Sequence, residues 1–277
     1  MTRRVLITGA TGFVGRQVLK NVVEQKFYVT LVVRNRKLEN FKEIPAVDTV
    51  ITTNDLFADS TAWWANAFQG VDTVIHVAWD VEPGKYLESS KNIDCLLGTL
   101  AMAQGAVIAG VRRFIGIGTC FEYDLSYRSL SIETPLKPLT PYAGAKTAAF
   151  TALSNWLPPQ GVEFVWCRLF YLYGEGEDER RLVPYLRSKL AAGEKVELSS
   201  GTQIRDFLDV SVAGSLIADI ALGTLQGPIN ICSGIPVTVK KLAENIADEY
   251  GRRDLLNFSS RKEDFFNPPM VLGVISH

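Results

Sequence analysis

Residues Val5 to Gly15, Val-Leu-Ile-Thr-Gly-Ala-Thr-Gly-Phe-Val-Gly, constrain the fold of this chain more than any other stretch. Val5, Leu6 and Ile7 are a short, mostly β-branched apolar run, the pattern of a strand buried on both faces. Gly9, Gly12 and Gly15 follow at three-residue spacing, and Val14, Val18 and Leu19 then open a helical period. A strand that turns straight into a helix aims unpaired backbone N–H groups, and the positive helix end, at whatever lies above the turn. Glycines at Gly9, Gly12 and Gly15, with Thr11, Phe13 and Val14 between them, let a pyrophosphate approach the backbone closely. Three glycines also describe a plain tight turn. Their place between strand and helix favours a dinucleotide.

A second strand, Tyr28 to Val33, ends in Arg34-Asn35-Arg36-Lys37. In a dinucleotide fold such a strand end reaches the adenosine ribose, where an acid would hold both hydroxyls of NAD. No acid occurs here before Glu39, and the Arg34 guanidinium suits a 2′-phosphate, so NADP(H) is the expected cofactor. The alternative is a solvated basic loop. A third strand, Val47 to Thr52, leads to Asn54-Asp55-Leu56, and Trp63, Trp64, Ala67 and Phe68 follow at helical spacing. Thr73 to Val77 forms a fourth strand running into Ala78-Trp79, with His76 read as a core histidine. A long helix is expected from Tyr86 to Ala109, then a fifth strand from Arg112 to Gly118, ending at Thr119. Repeated strand–helix alternation specifies a parallel sheet covered on both faces, with ligands at the carboxyl ends of its strands. The expected class is therefore α/β, a Rossmann-type doubly wound parallel sheet.

Beyond a Pro-rich loop from Ser131 to Thr140, Pro141 starts a helix that carries Tyr142 and Lys146. Four residues apart, these two share one helical face. Val162 to Arg168 supplies a sixth strand, after which the alternation loosens. A boundary is placed near Gly174: residues 1–174 form the NADP-binding domain, and residues 175–277 mainly a small α/β substrate lobe over the cofactor rim. In that lobe Leu182 to Leu190 reads as helix, Ser199 to Thr202 as turn and Val239 to Tyr250 as amphipathic helix. The segment near 229–232 is a candidate to rejoin the sheet.

Thr119, at a strand end, and Tyr142, on the next helix, are expected to meet where the nicotinamide lies. An ordinary tyrosine titrates near pH ~10 and is a poor acid at neutrality. A lysine ammonium one turn away, with the positive charge of oxidised nicotinamide, favours the phenolate. Tyr142 then exchanges a proton with a carbonyl or alcohol oxygen, Thr119 orients that oxygen, and Lys146 also holds the nicotinamide ribose. The alternative is a chance Tyr-x-x-x-Lys spacing.

Composition removes several other classes. A net charge of −1 leaves no electrostatic footprint for nucleic acid or an anionic membrane. Cys95, Cys120, Cys167 and Cys232 show no Cys-x-x-Cys spacing and read as reduced thiols. With two histidines, one of them His277, there is little material for a histidine metal site or a Ser-His-Asp triad, and no metal is expected. No signal peptide or membrane-spanning run is apparent, so a soluble cytoplasmic protein is expected.

Taken together, the chain resembles the extended short-chain dehydrogenase/reductase family, and within it the nucleotide-sugar epimerases, dehydratases and reductases. The resemblance rests on Thr8-Gly9-Ala10-Thr11-Gly12-Phe13-Val14-Gly15, Asp55-Leu56, Val74-Ile75-His76-Val77-Ala78, and Gly110-Val111-Arg112-Arg113-Phe114. It continues through Tyr142 with Lys146, Arg168-Leu169-Phe170, Tyr173-Gly174, Arg205-Asp206-Phe207 and Asn230-Ile231. It implies that Asp55 and Leu56 border the adenine, that Val77, Ala78 and Trp79 pass along the cofactor, and that Leu169 lies near the nicotinamide. It also implies that Arg205 meets the nucleotide diphosphate of the sugar; structural pairing of Arg205 with Asp206 is the alternative. A homodimer is implied too, and small residues on the two long helices (Gly98, Ala101, Ala103, Gly105, Ala145, Ala148, Ala149) would allow a two-fold bundle.

Three departures from the family pattern bear on activity. Sugar-nucleotide 4,6-dehydratases resembling this chain carry Asp-Glu after the catalytic Thr, where this chain has Cys120 and Phe121. Neither residue can run that elimination. The usual Asn of the long helix is Cys95, and the usual Asn after the sixth strand is Tyr171, which changes the sugar pose. A retained-cofactor epimerase consumes no NADPH, whereas a net reductase draws on it, and Arg34 points to the latter. The run Thr119 to Asp124 is also similar to bacterial reductases of nucleotide-linked 4-keto-6-deoxyhexoses. The expectation is an NADPH-dependent C4 reductase of such a sugar, with Cys120, Phe121, Tyr171 and Arg205 on the substrate. An epimerase, a reductase of a non-sugar ketone, and a non-catalytic NADPH sensor are the alternatives.

Overall fold

The structure, a computed structural model, describes residues 4–25, 27–35, 47–261 and 268–276. Its centre is a seven-stranded parallel sheet made of β1 (Arg4–Thr8), β2 (Tyr28–Arg34), β3 (Val47–Thr53), β4 (Thr73–His76), β5 (Arg113–Thr119), β6 (Glu163–Leu169) and a late strand described below. β1 is buried between β2 and β4, and every residue from Val5 to Thr8 is inaccessible to solvent. From β1 the chain first builds outward through β2 and β3, then returns to build through β4, β5 and β6 on the other side. That reversal opens a crevice at the carboxyl ends of β1 and β4, where a doubly wound sheet takes its ligands.

Helices cover both faces, as a fully parallel sheet requires. α2 (Thr61–Ala67), α3 (Lys91–Ala109) and α4 (Pro141–Trp156) lie on one face, packing Trp64, Met102, Ala103, Ala149 and Leu153 against Leu6, Val74, Phe114 and Trp166. α1 (Phe13–Glu24) lies on the other face. Local chemistry sets the ends of these helices. Ser60 and Thr140 cap α2 and α4 by accepting the N–H of Trp63 and Ala143, Pro141 opens α4, and Gly110 stops α3 in the left-handed region at φ 73°. α3 is long and apolar enough to span a membrane by length and composition alone, but its inner face packs on α2 and α4. It begins at Lys91 rather than Tyr86, because residues 82–89 fold into successive turns instead.

The remainder of the chain serves both lobes. β7 (Tyr171–Tyr173) leaves the sheet, followed by α5 (Leu182–Ala191), β8 (Val196–Glu197) and β9 (Ile204–Asp209). α6 (Val210–Leu222), capped by Asp209, then packs along α1, and β10 (Gly227–Ile231) completes the sheet beside β6. β11 (Pro236–Thr238), α7 (Val239–Glu249), β12 (Leu256–Asn257) and β13 (Met270–Val271) follow. The small lobe has its own core of Val183, Leu186, Leu190, Val196, Ala243, Ile246 and Leu255. A cut at Gly174 therefore leaves α6 and β10 on the wrong side, since Ala213, Ile217, Ile229 and Ile231 belong to the core beneath α1. Their apolar faces have only the sheet layer to bury against.

Candidate active site

At the carboxyl edge of the sheet lies one cleft of about 1680 Å³, between the sheet domain and the small lobe. Every site residue expected from the sequence lines it.

At one end sits the glycine turn. Gly9 has φ 75°, and a Cβ there would stand 2.6 Å from the backbone nitrogen of Ala78, so glycine is required on both counts. Gly15 lies against Gly9 with no room for a side chain, which brings α1 close to β1. Gly12 differs: its nearest neighbour across the missing Cβ is Gly9 O at 3.3 Å. Gly12 is also the N-cap of α1, so no side chain caps the helix, and Thr11, Gly12, Phe13, Val14 and Gly15 line the cleft. An uncapped helix start facing an open cradle fits the pyrophosphate of a dinucleotide. Val77, Ala78 and Trp79 continue the same wall.

Arg34 is the last residue of β2 and is exposed at this end, with Asn35 bonded to Asn54. Asp55 and Leu56 follow β3; Asp55 accepts the Phe57 N–H at 3.0 Å, which fixes the turn that leads toward α2. Arg36 and Lys37 of the basic run lie outside the described residues.

Thr119, Tyr142 and Lys146 converge at the centre of the cleft. Thr119 ends β5 and is 6% exposed; its hydroxyl oxygen accepts the Phe121 N–H at 3.3 Å. The Tyr142 phenol lines the same part of the cleft, and the Thr119 side chain favours its ionised form. Tyr142 is held from three sides: its N–H donates to Leu87 O at 3.0 Å, and the rings of Tyr86 and Trp79 meet it edge-on at 4.8 and 6.5 Å. One turn on, Lys146 Nζ donates to Ile117 O at 2.6 Å and lies 3.7 Å from the centre of the Trp79 ring.

The electrostatics of this group differ from the expectation. Burial raises the Tyr142 phenol well above its usual range, with Tyr86 and Glu122 pushing the same way and the Thr119 side chain opposing them. Lys146 is not among the largest influences on it. Its own pKa is pulled down to about 7, by burial, against the opposing pull of Glu122 and Cys95. Lys146 is held by Ile117 O and the Trp79 face, and desolvation governs both groups. His76 behaves as a core histidine: it bonds Thr8 and Thr99 at 2.8 and 2.9 Å, and burial lowers its pKa to about 3.

Toward the small lobe lie Cys120, Phe121, Leu169, Tyr171 and Arg205. Burial raises the Cys120 thiol far above neutrality, so it carries no proton chemistry there. Phe121 meets Tyr171 edge-on at 6.0 Å, and Arg205 lies 5.2 Å from the Tyr171 ring while donating to Ile204 O. The Asp206 carboxylate instead receives the N–H and hydroxyl of Ser233 and the N–H groups of Gly234 and Gly273. Among the described residues, then, the aspartate orders loops, and Arg205, itself buried, lines the cleft.

Tyr86, Glu177, Arg181 and Gln203 also line the cleft and were not legible as site residues. Tyr86 was assigned to a helix, and the others lie in the part of the chain without clear periodicity. The Glu177 carboxyl is raised to about 7 by burial, and one of its oxygens is buried with no hydrogen-bond partner among the described residues.

A glycine turn at an uncapped helix start, with a Tyr–Lys pair and a threonine at the same crevice, is the arrangement the sequence resemblance implied. The model of the NAD-dependent epimerase/dehydratase family matches residues 5–217. The chain belongs to that family. It is an NAD(P)-dependent enzyme of the extended short-chain dehydrogenase/reductase type. It is 22% identical over 249 residues to dTDP-6-deoxy-L-talose 4-dehydrogenase (NAD(+)) of Aggregatibacter actinomycetemcomitans, covering 89% of this chain and 90% of that one. It is 24% identical over 268 residues to dTDP-glucose 4,6-dehydratase of Streptomyces niveus, covering 90% and 78%. Among solved structures, UDP-N-acetylglucosamine 4-epimerase from Methanobrevibacter ruminantium, in complex with UDP-N-acetylmuramic acid, superposes with a TM-score of 0.86 at 22% identity. That match covers 99% of this chain and 90% of the other. The family is thus one of nucleotide-sugar dehydratases, epimerases and reductases.

Proposed function

We propose that this enzyme reduces the C4 carbonyl of a nucleotide-linked 4-keto-6-deoxyhexose with NADPH. One arrangement carries the reading: Thr119 and Tyr142 line the cleft beside Cys120 and Phe121, and neither of those two is a carboxyl acid or base such as an elimination across C5 and C6 needs. A site without acids there is suited to consuming the ketone rather than to forming it by elimination. Residues Gly9 to Gly15, Asp55, Leu56, Val77 to Trp79 and Leu169 hold the cofactor, with Arg34 on the 2′-phosphate. NADPH, when bound, supplies the hydride. Tyr142 gives its phenolic proton to the carbonyl oxygen, and Thr119 donates a hydrogen bond to the same oxygen and fixes its direction. Lys146 would hold the nicotinamide ribose. Arg205, stacked on Tyr171, receives the substrate diphosphate, and the small lobe closes the cleft over the sugar.

The test is incubation with a panel of nucleotide 4-keto-6-deoxyhexoses, following NADPH absorbance and identifying products by NMR. Stoichiometric NADPH loss with a new C4 hydroxyl is expected. Isomerisation without NADPH loss would establish an epimerase, and turnover of a ketone lacking the diphosphate would remove the sugar from the reading. Tight NADPH binding with no turnover of any ketone would leave a sensor.

We further propose a cytoplasmic homodimer formed through the outer face of α3 and α4. Gly98 and Gly105 press on the backbone of Phe57 and on Trp64, and Ala103, Ala145 and Ala149 are buried, so these small residues serve packing within the chain, whereas Ala148 is exposed. Ile93, Leu97, Ile108 and Trp156 are the large apolar residues that face outward on this pair of helices. A strictly monomeric mass by light scattering at micromolar concentration would remove this part.

A further inference from the structure

Beneath the cleft, on the α4 side of β5 and β6, a buried ion pair has no role in the reaction as proposed. Glu122 is 0% exposed and Arg168 about 1%. Glu122 Oε1 accepts the Thr119 N–H at 2.8 Å and the Trp166 indole N–H at 2.9 Å. Glu122 Oε2 takes the Arg168 Nε–H at 2.8 Å. Arg168 in turn donates to the Tyr123 hydroxyl at 3.0 Å, and that hydroxyl donates to Asn230 Oδ1 at 2.7 Å. One guanidinium nitrogen, Nη2, has no hydrogen-bond partner among the described residues, but the group lies between the faces of Phe150 and Tyr123, at 4.4 and 4.6 Å. Gly118 must be glycine for this: a Cβ there would stand 2.5 Å from Glu122 Oε1.

Taking two such charges out of water costs several kcal/mol each, and apolar replacements of similar volume are often as stable or more so. Stability alone does not account for the pair. Among the described residues, its one hydrogen bond to a reacting residue is the one from the Thr119 N–H, although its charge also reaches Tyr142 and Lys146. Where β5 leaves the sheet, Glu122 closes a reciprocal box: its carboxylate holds the Thr119 backbone, while the Thr119 hydroxyl oxygen accepts the Phe121 N–H. Both bonds restrict the threonine, one at the backbone and one at the side chain. Accepting from Phe121 leaves the hydroxyl its proton to donate, and Thr119 lines the cleft.

We propose that Glu122, fixed by Arg168, is a positioning residue that acts through Thr119, setting the direction of its hydroxyl toward the oxygen that Tyr142 protonates. This rests on the role given to Thr119 above. The test compares two neutral double variants, so that neither leaves a buried charge unpaired. Glu122→Gln with Arg168→Met keeps an oxygen for the Thr119 N–H; Glu122→Met with Arg168→Met removes it. With the keto-sugar that the wild-type enzyme turns over, the Met version should lose about ten- to a hundredfold in kcat at unchanged KM and NADPH affinity. The Gln version should stay within about threefold of wild type. In a Thr119→Val background the difference between the two should vanish, because a residue that acts only through Thr119 has nothing left to position. Equal kcat for the two versions, an effect on KM alone, or an undiminished difference in that background overturns the proposal. A second measurement needs neither variant nor substrate, and so separates this proposal from the reaction assigned above. In the wild-type protein labelled at threonine, the Thr119 amide should resonate downfield and exchange slowly with D2O. A rapidly exchanging Thr119 amide overturns the proposal even if the enzyme proves to be a reductase.

Discussion

Replacing Lys146 by methionine separates what this residue does for stability from what it does for function. In the unfolded chain the lysine holds its proton to pH 10.5, and in the folded, cofactor-free chain only to about 7. Between these limits the unfolded chain binds more protons, so stability rises with pH, by up to about 1.4 kcal/mol per unit for one proton. The penalty is complete below pH 7 and gone above pH 10.5. The hydrogen bond to Ile117 O and the contact with the Trp79 face both favour the charged form and reduce the slope. Allowing for them, the wild-type protein should gain about 1.5–2.5 kcal/mol relative to Lys146→Met over two pH units on the alkaline side of neutrality. Methionine fills a similar space without a charge, so the variant should be the more stable protein near pH 7 and lose that advantage toward pH 10. Urea unfolding by tryptophan fluorescence, on both proteins at half-unit steps without cofactor, measures the difference, and titrations common to both cancel. A difference that stays flat across the range would refute the argument, because the lysine would then be no more desolvated than in the unfolded chain. The variant should also be inactive. A more stable, inactive enzyme is what a strained functional group predicts.

Tyr142→Phe should lower turnover about 10²- to 10⁴-fold while leaving NADPH affinity nearly unchanged, measured by steady-state kinetics beside fluorescence titration. Arg34→Ala should weaken NADPH by roughly ten- to a hundredfold, about 1.5–3 kcal/mol, and leave NADH unaffected; an unchanged NADPH/NADH ratio would place selectivity elsewhere. Arg113 is fully buried, and its guanidinium donates to the carbonyls of Ile220, Ala221 and Leu225 at the end of α6 and to Glu163. Arg113→Met strands those carbonyls and should cost about 3–5 kcal/mol, seen as a lower urea midpoint at unchanged slope.

How far the sequence reached depended on the range of the interactions involved. The strand–turn–helix at Val5 to Gly15 was legible because its constraints are local: Gly9 and Gly15 answer contacts made within that turn and with the neighbouring strand. The first six strands were legible for a related reason. A strand buried on both faces is a short apolar run bounded by turn residues, whatever it packs against. Tyr142 and Lys146 share a helical face by spacing alone. α6 and β9, in contrast, were passed over although Asp209 caps α6 and an apolar run follows it, since nothing local says that a helix after Gly174 packs back on α1. The start of α3 was misplaced because Asn92, itself buried, binds the carbonyls of Tyr86 and Ser89, a tie that exists only once the loop is folded. Tertiary structure alone decided the charges. Spacing put Lys146 beside Tyr142 and implied a lowered phenol, but the sign of each shift depends on how much water the finished cleft excludes. The same holds for Glu122 and Arg168: forty-six residues apart in sequence, they become one unit only when β5 and β6 pair, because burial and partners are properties of the packed sheet and not of the chain.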